Sequence, residues 1–204
     1  VLEMPEALAR TLDADAGVAD AVAVLADPSV RRVVATGNGA AYYVGVALAL
    51  AALRSSAGPE LVALPAGVVA DPSFAWRDGD RLLAISSSGE FKDVVTAIEQ
   101  GAPKPVVAIT AHAESTLGRL ADAVALQTVL HQRAITHTQA LAGALAIGLR
   151  IWGRTVGDAA LARAADDGPA LLQAAIQTAP GWAEAAFAEG AMPVSAASFG
   201  GGPA

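Results

Sequence analysis

No cysteine occurs in the 204 residues, which excludes disulfides, thiolate metal sites and a cysteine nucleophile. Aromatic residues make up only 4%. Trp76, Trp152 and Trp182 stand singly and read as packing residues rather than stacking platforms. Basic residues are outnumbered, 13 Lys and Arg against 20 Asp and Glu, for a net charge of -7. No Lys/Arg run appears anywhere, and nucleic-acid binding calls for such clusters, so no nucleic-acid partner is expected. The three histidines, His112, His131 and His137, have no His, Asp or Glu at metal-ligand spacing, and no metal is expected. The longest apolar run, around Val44 to Leu53, is too short to cross a bilayer. Residues 1–12 carry Glu3, Glu6 and Arg10 and do not read as a signal peptide. The expectation is a cytoplasmic protein without a membrane partner.

What the chain does have is apolar residues, 54% of the total, much of it alanine. Alanine favours helices and buries little area, so Val, Leu and Ile must fill the core. Residues 5–26 read as one amphipathic helix opened by Pro5. Five apolar runs then read as strands: 32–36, 61–64, 81–85, 105–110 and 123–126. Helices are predicted between them over 40–55, 65–69, 92–100 and 114–120, and a long apolar one over 135–154. Continuous apolar strands alternating with helices predict an α/β fold, a three-layer αβα sandwich around a five-stranded, mostly parallel sheet. Right-handed crossovers place the strand-to-helix turns along one edge, where ligands bind. After Arg154 two more helices are predicted, over 158–176 and 181–189. Residues 193–198 read as a strand running into glycines, like Val33 to Gly39, which suggests a repeat.

Two turns carry candidate chemistry. Ser86-Ser87-Ser88-Gly89-Glu90 follows a buried strand and precedes a helix. Helix N-termini present unpaired N–H groups and partial positive charge, the serines add hydroxyl donors, and Gly89 permits close approach, a combination suited to a phosphate monoester. The competing reading makes Ser88 a helix N-cap. Gly37-Asn38-Gly39 has the same placement after the first strand. It approaches a dinucleotide fingerprint, but Tyr42 occupies the third glycine position, and Glu60 stands where a ribose-binding acid would be expected. The alternative is a tight turn packing helix on sheet. His131, Gln132, Arg133, Thr136, His137 and Thr138 form a polar cluster before the long helix. Ligand contact by His137 and simple capping both fit it.

Taken in order, Gly37-Asn38-Gly39, Ser86 to Glu90, the strand Val106 to Thr110, Ser115-Thr116-Leu117, Ala121-Asp122 and Gln132 to Thr138 resemble a sugar isomerase (SIS) domain of flavodoxin-like fold. The pattern is most similar to the first SIS domain of double-SIS phosphosugar isomerases and deaminases, such as the isomerase half of glutamine–fructose-6-phosphate aminotransferase. The resemblance implies a SIS domain over 30–154, preceded by an N-terminal helix (1–29). The helices after Arg154 are expected to form a linker packing on the domain (155–191), and the repeat suggests the start of a truncated second SIS domain (192–204). The resemblance implies phosphate binding by Ser86, Ser87, Ser88 and Gly89. It implies sugar contacts from Asn38, Gly39, Gln132, Ile135 through its backbone, and His137. The family usually has threonine where Phe91 stands and commonly glutamate at Gln132, and an amide does not titrate. The expected function is binding of a hexose or hexosamine 6-phosphate in an aldose–ketose isomerase or deaminase, with catalytic residues mostly in the second domain. A non-catalytic sugar-phosphate sensor is the alternative, and a dinucleotide-binding domain ranks third. No cofactor is expected. A homodimer is expected, through the Tyr42-Tyr43-Val44 face and the long helix.

Overall fold

A computed structural model describes residues 2–55, 57–130 and 138–187. Five strands, β1 (Arg32–Gly37), β2 (Glu60–Pro65), β3 (Asp80–Ile85), β4 (Val107–Thr110) and β5 (Ala123–Leu126), form one sheet in the order β2-β1-β3-β4-β5. Every pairing is parallel. The expected mostly parallel sheet is therefore wholly parallel, with the flavodoxin-like order. Helices cover both faces: α2 (Val18–Leu25), α3 (Ala40–Ala52) and α7 (Thr138–Thr155) on one, α4 (Ala66–Val69), α5 (Lys92–Glu99) and α6 (Thr116–Leu120) on the other.

The strand sequences explain the two-sided burial. Successive side chains point to opposite faces. Val33, Ala35, Leu83, Ile85, Val107 and Ile109 pack under α2, α3 and α7. Val34, Leu82, Ala84, Val106 and Ala108 pack under α4, α5 and α6. An uninterrupted apolar run is what a strand buried on both faces requires. Trp152, only 2% exposed, fills the core beneath α7, as the packing reading expected.

The first predicted helix is two. α1 (Met4–Ala14) ends at Asp15 in the left-handed region, and α2 begins after Gly17, whose φ is +74°. A Cβ on Gly17 would lie 1.8 Å from the Val124 carbonyl oxygen of β5, so the chain breaks where it must pass the sheet backbone. Arg150 of α7 fixes this corner, donating to the Leu12 carbonyl at 2.6 Å and to Asp15 Oδ1 at 2.8 Å. Farther along, α8 (Ala159–Ala164) is capped by Asp158, and α9 spans Gly168–Phe187. The break expected near residue 180 falls instead at 165–167, and the helix runs through Pro180 at the loss of one backbone bond. The strand expected over 193–198 and the second domain expected from 192 lie outside the described residues.

No described helix is long and apolar enough to cross a membrane. Among the described residues no group of His, Asp and Glu could hold a metal.

Candidate functional site

In a sheet of this order, the crossover direction reverses between β1 and β3, which opens a crevice beyond their carboxyl ends. Both candidate turns leave the sheet there. Asn38, Gly39, Ser86, Ser87 and Ser88 line one cavity of about 400 Å³. Its remaining wall is mostly apolar: Ala41, Val44, Ile85, Phe91, Leu141 and Ala144, with Thr138 and Gln127 as further polar members.

The serine turn is rigidly built. Ser86, 2% exposed, accepts the Gly89 N–H at 3.1 Å on its hydroxyl oxygen. Ser88 accepts the Glu90 N–H at 3.3 Å. Among the described residues neither hydroxyl donates to an acceptor, which leaves each proton available to a ligand. The Ser87 carbonyl accepts from the Ala111 N–H at 3.0 Å and the Thr110 hydroxyl at 3.2 Å, which ties the turn to the end of β4. Gly89 has φ +69°, and a Cβ there would meet Ser115 Oγ at 2.0 Å. Its glycine is thus required by the backbone and by Ser115, and it sits behind the serines that line the cavity.

Ser88 is not the N-cap of α5. That helix starts at Lys92, and its N-cap is Phe91, which makes no side-chain cap bond and is 54% exposed at the cavity rim. The serine hydroxyls are therefore not used up in capping. Glu90 accepts the Thr116 N–H and hydroxyl, and these bonds hold its carboxyl below the ordinary glutamate range.

At the first turn, Gly39 has φ +54° and ψ −125°, a backbone conformation essentially confined to glycine, and it caps α3. Asn38 Nδ2 donates to Asp93 Oδ2 at 3.4 Å, linking this turn to α5. Glu60 opens β2 opposite Arg32, whereas Gly37 pairs with Pro65. The acid is therefore five residues, roughly 16 Å, from the turn along the strand, at the opposite edge of the sheet. The ribose-binding role considered for Glu60 does not hold.

Gln132, Ile135 and His137 fall outside the described residues, as does His131. Thr138, the last residue of the same segment, opens α7 and lines the cavity. Gln127 was not singled out in the sequence, since a lone glutamine after a strand belongs to no motif.

The family model for the SIS domain matches residues 29–147. The chain belongs to the SIS domain family. Solved structures with similar folds include a candidate phosphosugar isomerase of Silicibacter pomeroyi, at 29% identity and TM-score 0.71, where the match covers 85% of this chain and 54% of that one. The C-terminal domain of glucosamine-fructose-6-phosphate aminotransferase from Francisella tularensis aligns at 21% identity and TM-score 0.72, covering 86% and 54%. The sugar isomerase domain of an RpiR transcription factor from Sphaerobacter thermophilus aligns at 19% and TM-score 0.61, covering 80% and 91%. This SIS domain chain spans about half the length of the first two. Among curated proteins no sequence matches it significantly.

Proposed function

We propose that this SIS domain binds the phosphate of a hexose or hexosamine 6-phosphate on Ser86, Ser87 and Ser88, as part of an aldose–ketose isomerase or deaminase. The observation that carries the reading is the shared cavity: the Ser86, Ser87 and Ser88 turn, whose hydroxyls donate to no acceptor among the described residues, the Asn38–Gly39 turn, and a mainly apolar wall around the remainder. Neutral donors suit a phosphate monoester, and a fixed phosphate positions the sugar for chemistry. Ring opening and proton transfer between adjacent carbons need a titrating acid and base. None of the described residues lining the cavity titrates near neutrality, so in this reading those groups come from His137 or from a second domain. His137, Ile135 and Gln132 remain proposed sugar contacts, and the helices after Arg154 a proposed linker. Cytoplasmic location and homodimer formation belong to the same proposal. Of the surface expected for association, Tyr43 is 40% exposed while Val44 is in the core.

Steady-state assay of the complete protein with fructose 6-phosphate and glucosamine 6-phosphate tests this reading. Turnover that falls strongly in Ser87→Ala supports it. No turnover of any hexose phosphate, together with unchanged binding in Ser87→Ala, rejects it.

A second reading, a sugar-phosphate-sensing module, is favoured by the same lack of titrating groups in the described cavity wall and by the fold likeness to a transcription factor domain that this chain nearly spans. Binding without turnover by the complete protein would select it.

A further inference from the structure

The carboxyl end of β5 brings to the cavity a polar group that neither turn accounts for. Gln127 follows Leu126, and its backbone N–H donates to the Thr110 carbonyl at 2.9 Å. The residue is among those that line the cavity although it is only 4% exposed. Its Oε1 has no hydrogen-bond partner among the described residues. Buried polar atoms are nearly always paired, so an unpaired one calls for a cause.

Gly143 on α7 makes room for this amide. A Cβ at that position would fall 2.9 Å from Gln127 Oε1 and 3.4 Å from Gln127 Cβ. Glycine is unfavourable within a helix, so α7 sacrifices helix propensity at the place where the amide fits. Gln139 provides the contrast. It is equally buried, at 5%, but its Oε1 accepts the Leu130 N–H at 2.8 Å. Gln139 Oε1 is occupied by the fold, and among the described residues Gln127 Oε1 is not.

We infer that Gln127 is a specificity-determining residue, its buried amide reading a hydroxyl on the sugar carbons away from the phosphate. The inference rests on the sugar-phosphate reading of the cavity. β5 lies two strand spacings from β3, roughly 10 Å across the sheet. A phosphate held on the serine turn therefore directs the sugar, and not a second anionic group, toward Gln127. The amide both donates and accepts, which matches a hydroxyl, and it does not titrate, so its part is selection and not proton transfer. Sites that hydrogen-bond a ligand hydroxyl discriminate strongly, because the analogue lacking it leaves a buried polar group unpaired.

Titration calorimetry on the complete protein with inorganic phosphate, fructose 6-phosphate and glucosamine 6-phosphate provides the test. In Gln127→Met, which keeps the side-chain length, at least one sugar phosphate is expected to bind roughly tenfold more weakly, the weight of about one hydrogen bond. Inorganic phosphate binding and thermal stability are expected to be unchanged. Gly143→Ala improves helix propensity and displaces the amide, and it is expected to reproduce the selective loss. Unchanged sugar-phosphate affinities in Gln127→Met overturn the inference. Equal weakening of inorganic phosphate also overturns it, since that marks a structural role. Wild-type affinity for the sugar phosphates no better than for inorganic phosphate overturns it alone. Wild-type protein that binds none of the three removes the sugar-phosphate reading itself.

Discussion

Glu90 holds Thr116 with both carboxylate oxygens: Oε1 accepts the backbone N–H at 2.8 Å and Oε2 the hydroxyl at 2.7 Å. The pair locks the serine turn to the start of α6, beside the Leu117 N–H that donates to the Gly89 carbonyl at 2.9 Å.

This pair sets an acid limit on the turn. The Thr116 N–H and hydroxyl lower the Glu90 pKa and outweigh a small opposing effect of desolvation. A carboxyl with a depressed pKa contributes fully above its ordinary range, and the contribution is lost as pH falls through the depressed value. Phosphate affinity is therefore expected to show no Glu90-linked change between pH 6 and 8, a window set roughly by the ordinary carboxylate range. Glu90→Ala is expected to weaken phosphate binding roughly two- to fivefold, as for an exposed charged contact. Calorimetry across pH, wild type against variant, checks both points.

Gly89→Ala tests the turn from its other side. The substitution forces a side chain into a left-handed backbone and drives its Cβ to 2.0 Å from Ser115 Oγ and 2.5 Å from Ser115 Cβ. Ser115 cannot yield easily, because its hydroxyl caps α6 through Gly118 N and donates to the His112 carbonyl. A loss of about 2–3 kcal/mol is expected from strain and overpacking. Urea unfolding measures it, and wild-type stability would contradict the geometry.

At the opposite edge of the sheet, Arg32 meets Asp80 side by side, Nε to Oδ1 at 2.9 Å and Nη2 to Oδ2 at 2.6 Å. Burial pushes the Asp80 carboxyl up, but the Arg32 guanidinium and the Arg77 N–H outweigh it, and the net result lies below the ordinary aspartate range. The stabilisation is present above that range and disappears as pH falls through the depressed pKa. Asp80→Ala leaves Arg32 without its buried partner and is expected to cost about 3 kcal/mol at neutral pH. The deficit relative to wild type is expected to shrink in strong acid. Denaturant melts at several pH values follow it.

The elements the sequence revealed best are those fixed by local pattern. β1, β3 and β4 are apolar runs that end at, or just before, glycine, serine or threonine, and their order with the two turns was enough to suggest the sheet and the edge where a ligand is expected. The break between α1 and α2 depends on Gly17 meeting Val124, more than a hundred residues away, and no local signal announces that contact. The residues preceding α5 were also misleading. A serine run before a helix reads as a cap, yet tertiary bonds to β4 and α6 hold the turn apart and leave Phe91 at the cap position. Gln127 was invisible because its significance lies in what surrounds it.

Phe91 offers a gain-of-stability test. Its backbone, φ −65° and ψ 119°, suits a capping residue, but phenylalanine has no acceptor for the free N–H groups of α5. More than half of its surface is exposed, so little packing is lost on removal. Phe91→Thr is expected to stabilise the fold by about 1 kcal/mol through the restored cap. It also adds a hydroxyl at the cavity rim, and tighter phosphate binding is the expected second effect. Thermal melts and phosphate titrations of the one variant separate the two.

No lysine or arginine stands among the described residues that line the cavity, which lies in a protein of net charge -7. A cradle of arginine and lysine gathers its ligand from a distance and loses that attraction as ions screen it. A cradle of hydroxyls has no such long-range attraction to lose. The surrounding negative charge instead repels an incoming phosphate, and added salt relieves that repulsion. Raising ionic strength with a non-competing salt is therefore expected to leave the association rate of an anionic ligand unchanged or to raise it.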